Sequence, residues 1–147
     1  MQIDGKKIAS EIEGFLKNKI YSLRKKGIQP SLAVILIGND PGSVKYVGRK
    51  IITGEKIGLK VIPFRFQPTI QVSALLELIK KLNHDSAIHG IIIQRPVPLA
   101  LSSEELNSLV SPTKDVDGFH PDSQFDPPVA LAVEEILKSI HPENFQN

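Results

Sequence analysis

The sequence predicts an α/β protein, a three-layer α/β/α domain with a small, mostly parallel sheet and crossover helices. Short apolar runs at 32–37, 60–66 and 88–93 read as strands bounded by turn residues. The segments between them repeat their apolar residues at helical spacing, so the strands are joined by right-handed crossovers and lie parallel. The run from Ile88 to Ile93 is apolar without alternation, as expected of a strand covered on both faces.

In chain order, Asp4 is a helix N-cap, and Ile8, Ile12, Phe15, Leu16, Ile20 and Leu23 form the apolar stripe of a helix over Gly5 to Lys26, stopped by Gly27. Pro30 leads into the strand Leu32–Ile37. The turn Gly38-Asn39-Asp40-Pro41-Gly42 carries a helix start, and the helix runs to Gly58 with Val44, Val47, Ile51, Ile52 and Ile57 as its expected buried side. Lys60 to Phe66 alternates weakly and reads as a strand. A helix from Thr69 carries Val72, Leu75, Leu76, Leu78, Ile79 and Leu82. After the third strand, Ser102-Ser103-Glu104-Glu105 opens a short helix to Val110 with a capping-box signature. A last helix spans about Pro128 to Ile140. Residues 1–140 read as one domain and 141–147 as a linker-like end.

Composition narrows the function. With 147 residues the chain is long enough for one domain with a real core, and 41% hydrophobic and 23% charged residues are ordinary for a globular protein. A net charge of +2, with scattered basic residues, gives no footprint for nucleic acid. The sequence has no cysteine, which excludes disulfides, thiol nucleophiles and thiolate metal sites and fits a reducing compartment. No apolar run approaches the ~20 residues of a membrane span, and no signal-peptide core is present, so a cytoplasmic protein is expected.

Three stretches carry chemistry. Tyr46 and Lys50 lie four residues apart on one helix face, at the mouth of the sheet where open α/β folds bind ligands. A phenol and an amine there form a potential acid/base pair, although the spacing alone fits better an ordinary helix with a solvated lysine. Gln94-Arg95-Pro96-Val97-Pro98 follows the third strand at the same sheet edge, in a loop stiffened by its prolines or simply a turn that ends the strand. Lys114-Asp115-Val116-Asp117-Gly118-Phe119-His120 sets two carboxylates two apart. No third hard ligand lies at calcium-loop spacing, so no metal is expected, and a carboxylate that accepts hydrogen bonds from an amino-heterocycle suits the pattern better. No Gly-x-Gly-x-x-Gly turn occurs anywhere, which argues against a short-chain dehydrogenase and against any Rossmann dinucleotide domain in this chain.

Taken together, Leu32 to Lys50, Gly90 to Pro98 and Lys114 to Pro121 resemble the FolD family, the bifunctional methylenetetrahydrofolate dehydrogenases/methenyltetrahydrofolate cyclohydrolases. The likeness covers nearly the whole chain and is to that family's N-terminal, folate-binding catalytic domain. It implies that Lys50 is the proton-transfer group of the cyclohydrolase step and that Tyr46 packs on the folate ring system. It implies that Gln94 hydrogen-bonds the lysine, that Asp117 grips the pterin nitrogens, and that Ser43 belongs to the site beside the lysine. The substrate would be a folate. The cofactor would be NADP, bound by a second domain absent from this chain, and the full-length family forms a homodimer. The chemistry is consistent: a lysine at its ordinary value near ~10.4 is a poor base at neutral pH, and partial burial brings lysines toward a useful range.

The sequence also departs from the family pattern. Arg95 replaces an apolar residue; it either neutralises a glutamate tail of the folate or points to solvent, and solvent is the preferred expectation. Phe125 to Leu131 lacks the usual Cys-Thr-Pro-x-Gly form, which bears on how the folate pocket closes. The expectation is a catalytic domain without dehydrogenase activity of its own and with at most weak cyclohydrolase activity. The alternative is a non-catalytic folate-binding or partner-binding module working with a separate Rossmann chain.

Overall fold

The computed structural model describes residues 3–140. The chain runs α1 (Gly5–Lys25), β1 (Ser31–Ile37), α2 (Pro41–Ile57), β2 (Lys60–Phe66), α3 (Val72–His84), β3 (Gly90–Ile93), α4 (Ser103–Leu109) and α5 (Pro128–Ile140). β1 is the central strand of a three-stranded sheet of order β2-β1-β3, parallel throughout. The predicted α/β architecture with crossover helices is thus the observed one. The expected linker-like stretch, residues 141–147, lies outside the described residues.

The register explains the apolar runs. Ala33 pairs with Ile62 and Ile91, and Ile35 with Phe64 and Ile93. Successive side chains of a strand point to opposite faces. Ala33, Ile35, Ile37, Ile91 and Ile93 therefore pack against Leu75, Ile79 and Leu82 of α3. Val34, Leu36 and Ile92 pack on the other face against Val47 of α2. Every β1 side chain from Ala33 to Ile37 is at most 2% exposed, which is why the run shows no alternation. Burying each of the larger ones stabilises the fold by about 1.5–3 kcal/mol. β2 is an edge strand: Ile62, Phe64 and Phe66 pack on the α3 side and Val61 on the α2 side, and Pro63 sits where a missing amide is tolerated.

Local signals set the helix ends. The Asp40 carboxylate accepts the Ser43 amide at 2.7 Å and starts α2, and Gly58, at φ 87°, ends it. In α4 the Ser102 hydroxyl accepts the Glu105 amide at 3.1 Å while Glu105 accepts the Ser102 amide at 2.7 Å, the predicted capping box.

Several expectations need correction. α3 starts at Val72, because the chain first turns at 67–70, where the Ile70 amide bonds the Gln67 carbonyl. β3 starts at Gly90; Ile88 is buried, but its amide bonds Asp85 in the turn leaving α3. On α2, Val44 and Ile52 are exposed, Ile52 at 68%. At 3.6 residues per turn Ile52 lies about 140° round the helix from Val47. The buried face is instead Ser43, Val47, Gly54 and Ile57. On α1 only Ile20 is buried, while Ile12, Phe15, Leu16 and Leu23 stay exposed, because this helix packs on α2 and α5 rather than on the sheet. Among the described residues no helix is long and apolar enough to cross a membrane.

Candidate active site

The parallel sheet brings the ends of β1 and β3 to one edge, and the chain leaves both there. The Gln94 amide donates to the Ile35 carbonyl at 2.9 Å, so Gln94 stands one residue beyond the last β3 position, level with the start of α2. Lys50 lies on the third turn of α2. Its Nζ donates to Gln94 Oε1 at 3.4 Å. Gln94 Nε2 donates in turn to the Arg95 carbonyl at 3.1 Å. That second bond fixes which end of the amide faces the lysine, since only the oxygen can accept from an ammonium. Both side chains are half-buried.

Tyr46, one turn before Lys50, is 60% exposed. It lines a groove of about 310 Å³ with Leu32, Lys50, Thr53, Gly54 and Leu59, open along α2. A flat ring system laid there would meet the tyrosine face and the lysine amine together. Ser43 is buried, 3% exposed, and its hydroxyl donates to the Arg95 carbonyl at 3.0 Å. It braces α2 against the loop after β3. A wider groove, about 510 Å³, lies between the C-terminal ends of α1 and α2, lined by Lys17, Tyr21, Arg24 and Lys56 among others. It holds no donor and acceptor paired like Lys50 and Gln94, so the chemistry points to the sheet edge.

The carboxylates come from a turn tied to the sheet. The Ile91 amide donates to the Lys114 carbonyl at 2.8 Å, and Asp115 makes a parallel bridge with Ile91. Lys114 Nζ donates to the Leu82 and Asp85 carbonyls at 2.8 and 2.7 Å, closing the end of α3. Burial draws Lys114 below the ordinary lysine value, with Asp85 opposing. Asp115 is 3% exposed and accepts the His120 amide at 2.8 Å, so the first of the two aspartates braces the turn. Asp117 is the one presented to the site. Burial raises it above the ordinary carboxylate value and Asp115 adds to this, while Lys50 and Arg95 hold it down. Gly118 takes φ 67°, and a Cβ there would stand 2.7 Å from the Phe125 carbonyl oxygen. The turn can therefore nest on the 125–127 backbone only with glycine at this position.

Arg95 does not face solvent as expected. Its guanidinium stacks on the Phe119 ring, 4.3 Å from the centroid, and donates to the Asn107 side chain on α4. Phe119 and Asn107 were not singled out by sequence reasoning. An arginine among prolines, with an aromatic just past the second aspartate, was the available signal.

The edge offers little to a dinucleotide. At the start of α2, where a pyrophosphate would need free amides, the Asp40 carboxylate occupies the helix end. The Ser43 amide bond holds Asp40 below its ordinary value, so a negative charge already sits there. Among the described residues, the start of α2 does not fit a dinucleotide's pyrophosphate. Among the described residues no group of three or more His, Cys, Asp or Glu is placed to hold a metal ion.

Residues 3–117 match the family model described as "Tetrahydrofolate dehydrogenase/cyclohydrolase, catalytic domain". The chain is similar to the bifunctional protein FolD of an Exiguobacterium species, 43% identical over 121 residues, 82% of this chain and 44% of that one. It is similar to the Rickettsia bellii FolD, 38% identical over 95% of this chain and 53% of that one. A solved structure of the bifunctional FolD methylenetetrahydrofolate dehydrogenase/cyclohydrolase from Campylobacter jejuni superposes with a TM-score of 0.89 at 37% identity, covering 94% of this chain and 52% of that one. The Trypanosoma brucei FolD solved with NADP cofactor and inhibitor gives 0.85 at 26% identity, covering 95% and 52%. The chain spans about half the length of these relatives.

Proposed function

The chain belongs to the tetrahydrofolate dehydrogenase/cyclohydrolase family, and on that premise we propose that its sheet edge is a folate site for one-carbon metabolism. The observation that carries this reading is the pairing of Lys50 with Gln94 beside Tyr46 and opposite Asp117. Asp117 accepts hydrogen bonds from the amino group and ring nitrogens of the pterin, and Tyr46 stacks on the ring system. Lys50 is then set against the one-carbon bridge.

The bridge of methenyltetrahydrofolate is an amidinium-like carbon between two nitrogens. Water adds to it, one carbon–nitrogen bond breaks, and 10-formyltetrahydrofolate forms. The water's oxygen ends as the formyl carbonyl and gives up both protons. One passes to the departing nitrogen and the other leaves to solvent with the positive charge of the bridge. A group that accepts a proton from the water and returns one to the nitrogen therefore serves the step. Lys50 is that group. Gln94 orients its amine without a formal charge, so the ammonium is not locked in place as a carboxylate would lock it. Ser43 acts through the backbone it braces.

The partner reaction of the family, NADP-dependent oxidation of 5,10-methylenetetrahydrofolate, needs a nicotinamide beside the bound folate. The Asp40-capped start of α2 does not suit a dinucleotide's pyrophosphate, and in this reading the chain alone is expected not to reduce NADP. Residues 1–140 are the folate-binding catalytic unit in this reading.

The test is the decay of methenyltetrahydrofolate absorbance with the purified chain, beside calorimetry with the same folate. Decay above the buffer rate with saturable binding supports the reading. Binding without decay would favour a folate-binding module, and neither would refute a folate site.

A further inference from the structure

Arg95 occupies a junction of the site. Its carbonyl accepts from both Ser43 and Gln94, at 3.0 and 3.1 Å. Its side chain leaves in the other direction, stacked on Phe119 and bonded to Asn107. Arg95, Asn107, Asp115, Asp117 and Phe119 line one small void against Ile93 and Leu106. One face of the guanidinium is thus on an aromatic ring and one donor on an amide.

From this geometry we infer that Arg95 is a positioning residue for Asp117: its stack on Phe119 holds the 115–119 turn in place and sets a positive charge beside the carboxylate. The charges that bear on Asp117 are Lys50 from α2, Arg95 from the loop after β3, and Asp115 from its own turn; α4 contributes the neutral Asn107. Lys50 is the stronger of the two cations in holding Asp117 down and Arg95 adds to it, while Asp115 opposes both. Arg95 is the one cation of the set whose side chain packs directly on the turn that carries Asp117. That it serves folate recognition rests on the reading above; that it governs Asp117 does not.

The experiment separates the two. The Asp117 side-chain carboxyl carbon is titrated by NMR in the ligand-free chain, for the wild type, Arg95→Leu and Arg95→Lys. The expected result is a midpoint raised by about half a pH unit or more in Arg95→Leu and largely restored in Arg95→Lys. An unchanged midpoint in Arg95→Leu overturns the proposal. If Arg95→Leu does not fold, Phe119→Leu removes the stack and leaves the charge. Broadened or shifted amide signals confined to 115–119 then support the turn-holding role, and a native spectrum overturns it. Calorimetry with mono- and triglutamyl folate follows. Arg95→Leu should weaken both about equally, roughly 10-fold for one lost charge-assisted contact. Weakening of the triglutamyl form alone would make Arg95 an anion-binding residue and overturn the proposal. Failure of the wild type to bind any folate would fall on the functional reading and leave the titration result standing.

Discussion

Lys50 and Gln94 are 44 positions apart in the chain and meet at 3.4 Å because two parallel strands end at the same edge of the sheet. The amide oxygen faces the lysine because the amide nitrogen is committed to the Arg95 carbonyl.

Lys50→Met should abolish hydrolysis and preserve binding. General acid/base groups contribute about 10²- to 10⁴-fold, so the methenyltetrahydrofolate decay rate should fall by at least about 100-fold. The folate dissociation constant from calorimetry should change by only a few-fold. A variant that hydrolyses like the wild type would remove Lys50 from the reaction.

Gln94→Glu should move the pH dependence. A carboxylate beside Lys50 stabilises the ammonium, so the amine is freed only at higher pH. The rising limb of the hydrolysis rate should shift upward in pH, whereas Gln94→Ala should lower the rate without that shift. Rate–pH profiles of the two variants check this.

Asp117→Asn should weaken folate binding and strengthen the fold. Losing a charge-assisted hydrogen bond costs about 10- to 100-fold in affinity. In the folded chain burial raises Asp117 above its ordinary value of 3.8. As pH climbs from there, the unfolded chain releases the proton before the folded one, and stability is lost across that window. Asparagine has no proton to lose. The variant should therefore melt higher than the wild type at neutral pH, with the gap closing in acid, as thermal melts at several pH values would show.

Gly118→Ala should damage the turn. The left-handed backbone alone costs about 1–3 kcal/mol for a residue with a side chain. The added carbon also meets the Phe125 carbonyl and the Pro127 nitrogen, at 2.7 and 2.8 Å, and both are backbone atoms that cannot rotate away. A lower melting temperature together with lost folate affinity is expected; native behaviour in both would show that the turn does not depend on this close approach.

Local chemistry made much of the fold legible. The Gly38–Gly42 turn, the Ser102 capping box and the unalternating β1 run each act within a few residues, and each was read correctly. The stripe on α1 was legible as a helix but not as a surface, since periodicity shows which side is apolar and not what covers it. At the site, Tyr46 and Lys50 could be placed together by helical spacing. Gln94 could be placed near them only by strand topology, and a role for Asp117 came with the family resemblance. Arg95 was misread because its partners lie on α4 and on the 115–119 turn, and nothing in its own neighbourhood announces them.

The bond from the Ile91 amide to the Lys114 carbonyl has a consequence for traffic into the cleft. Together with the Ile91–Asp115 bridge, it splices the turn bearing Asp117 onto the outer edge of β3. Deuterium should enter the Ile91 amide only when this turn leaves the strand, so exchange there reports how often the turn opens. With the turn fastened on that flank, the open side of the cleft is the groove beside α2, past the exposed ring of Tyr46.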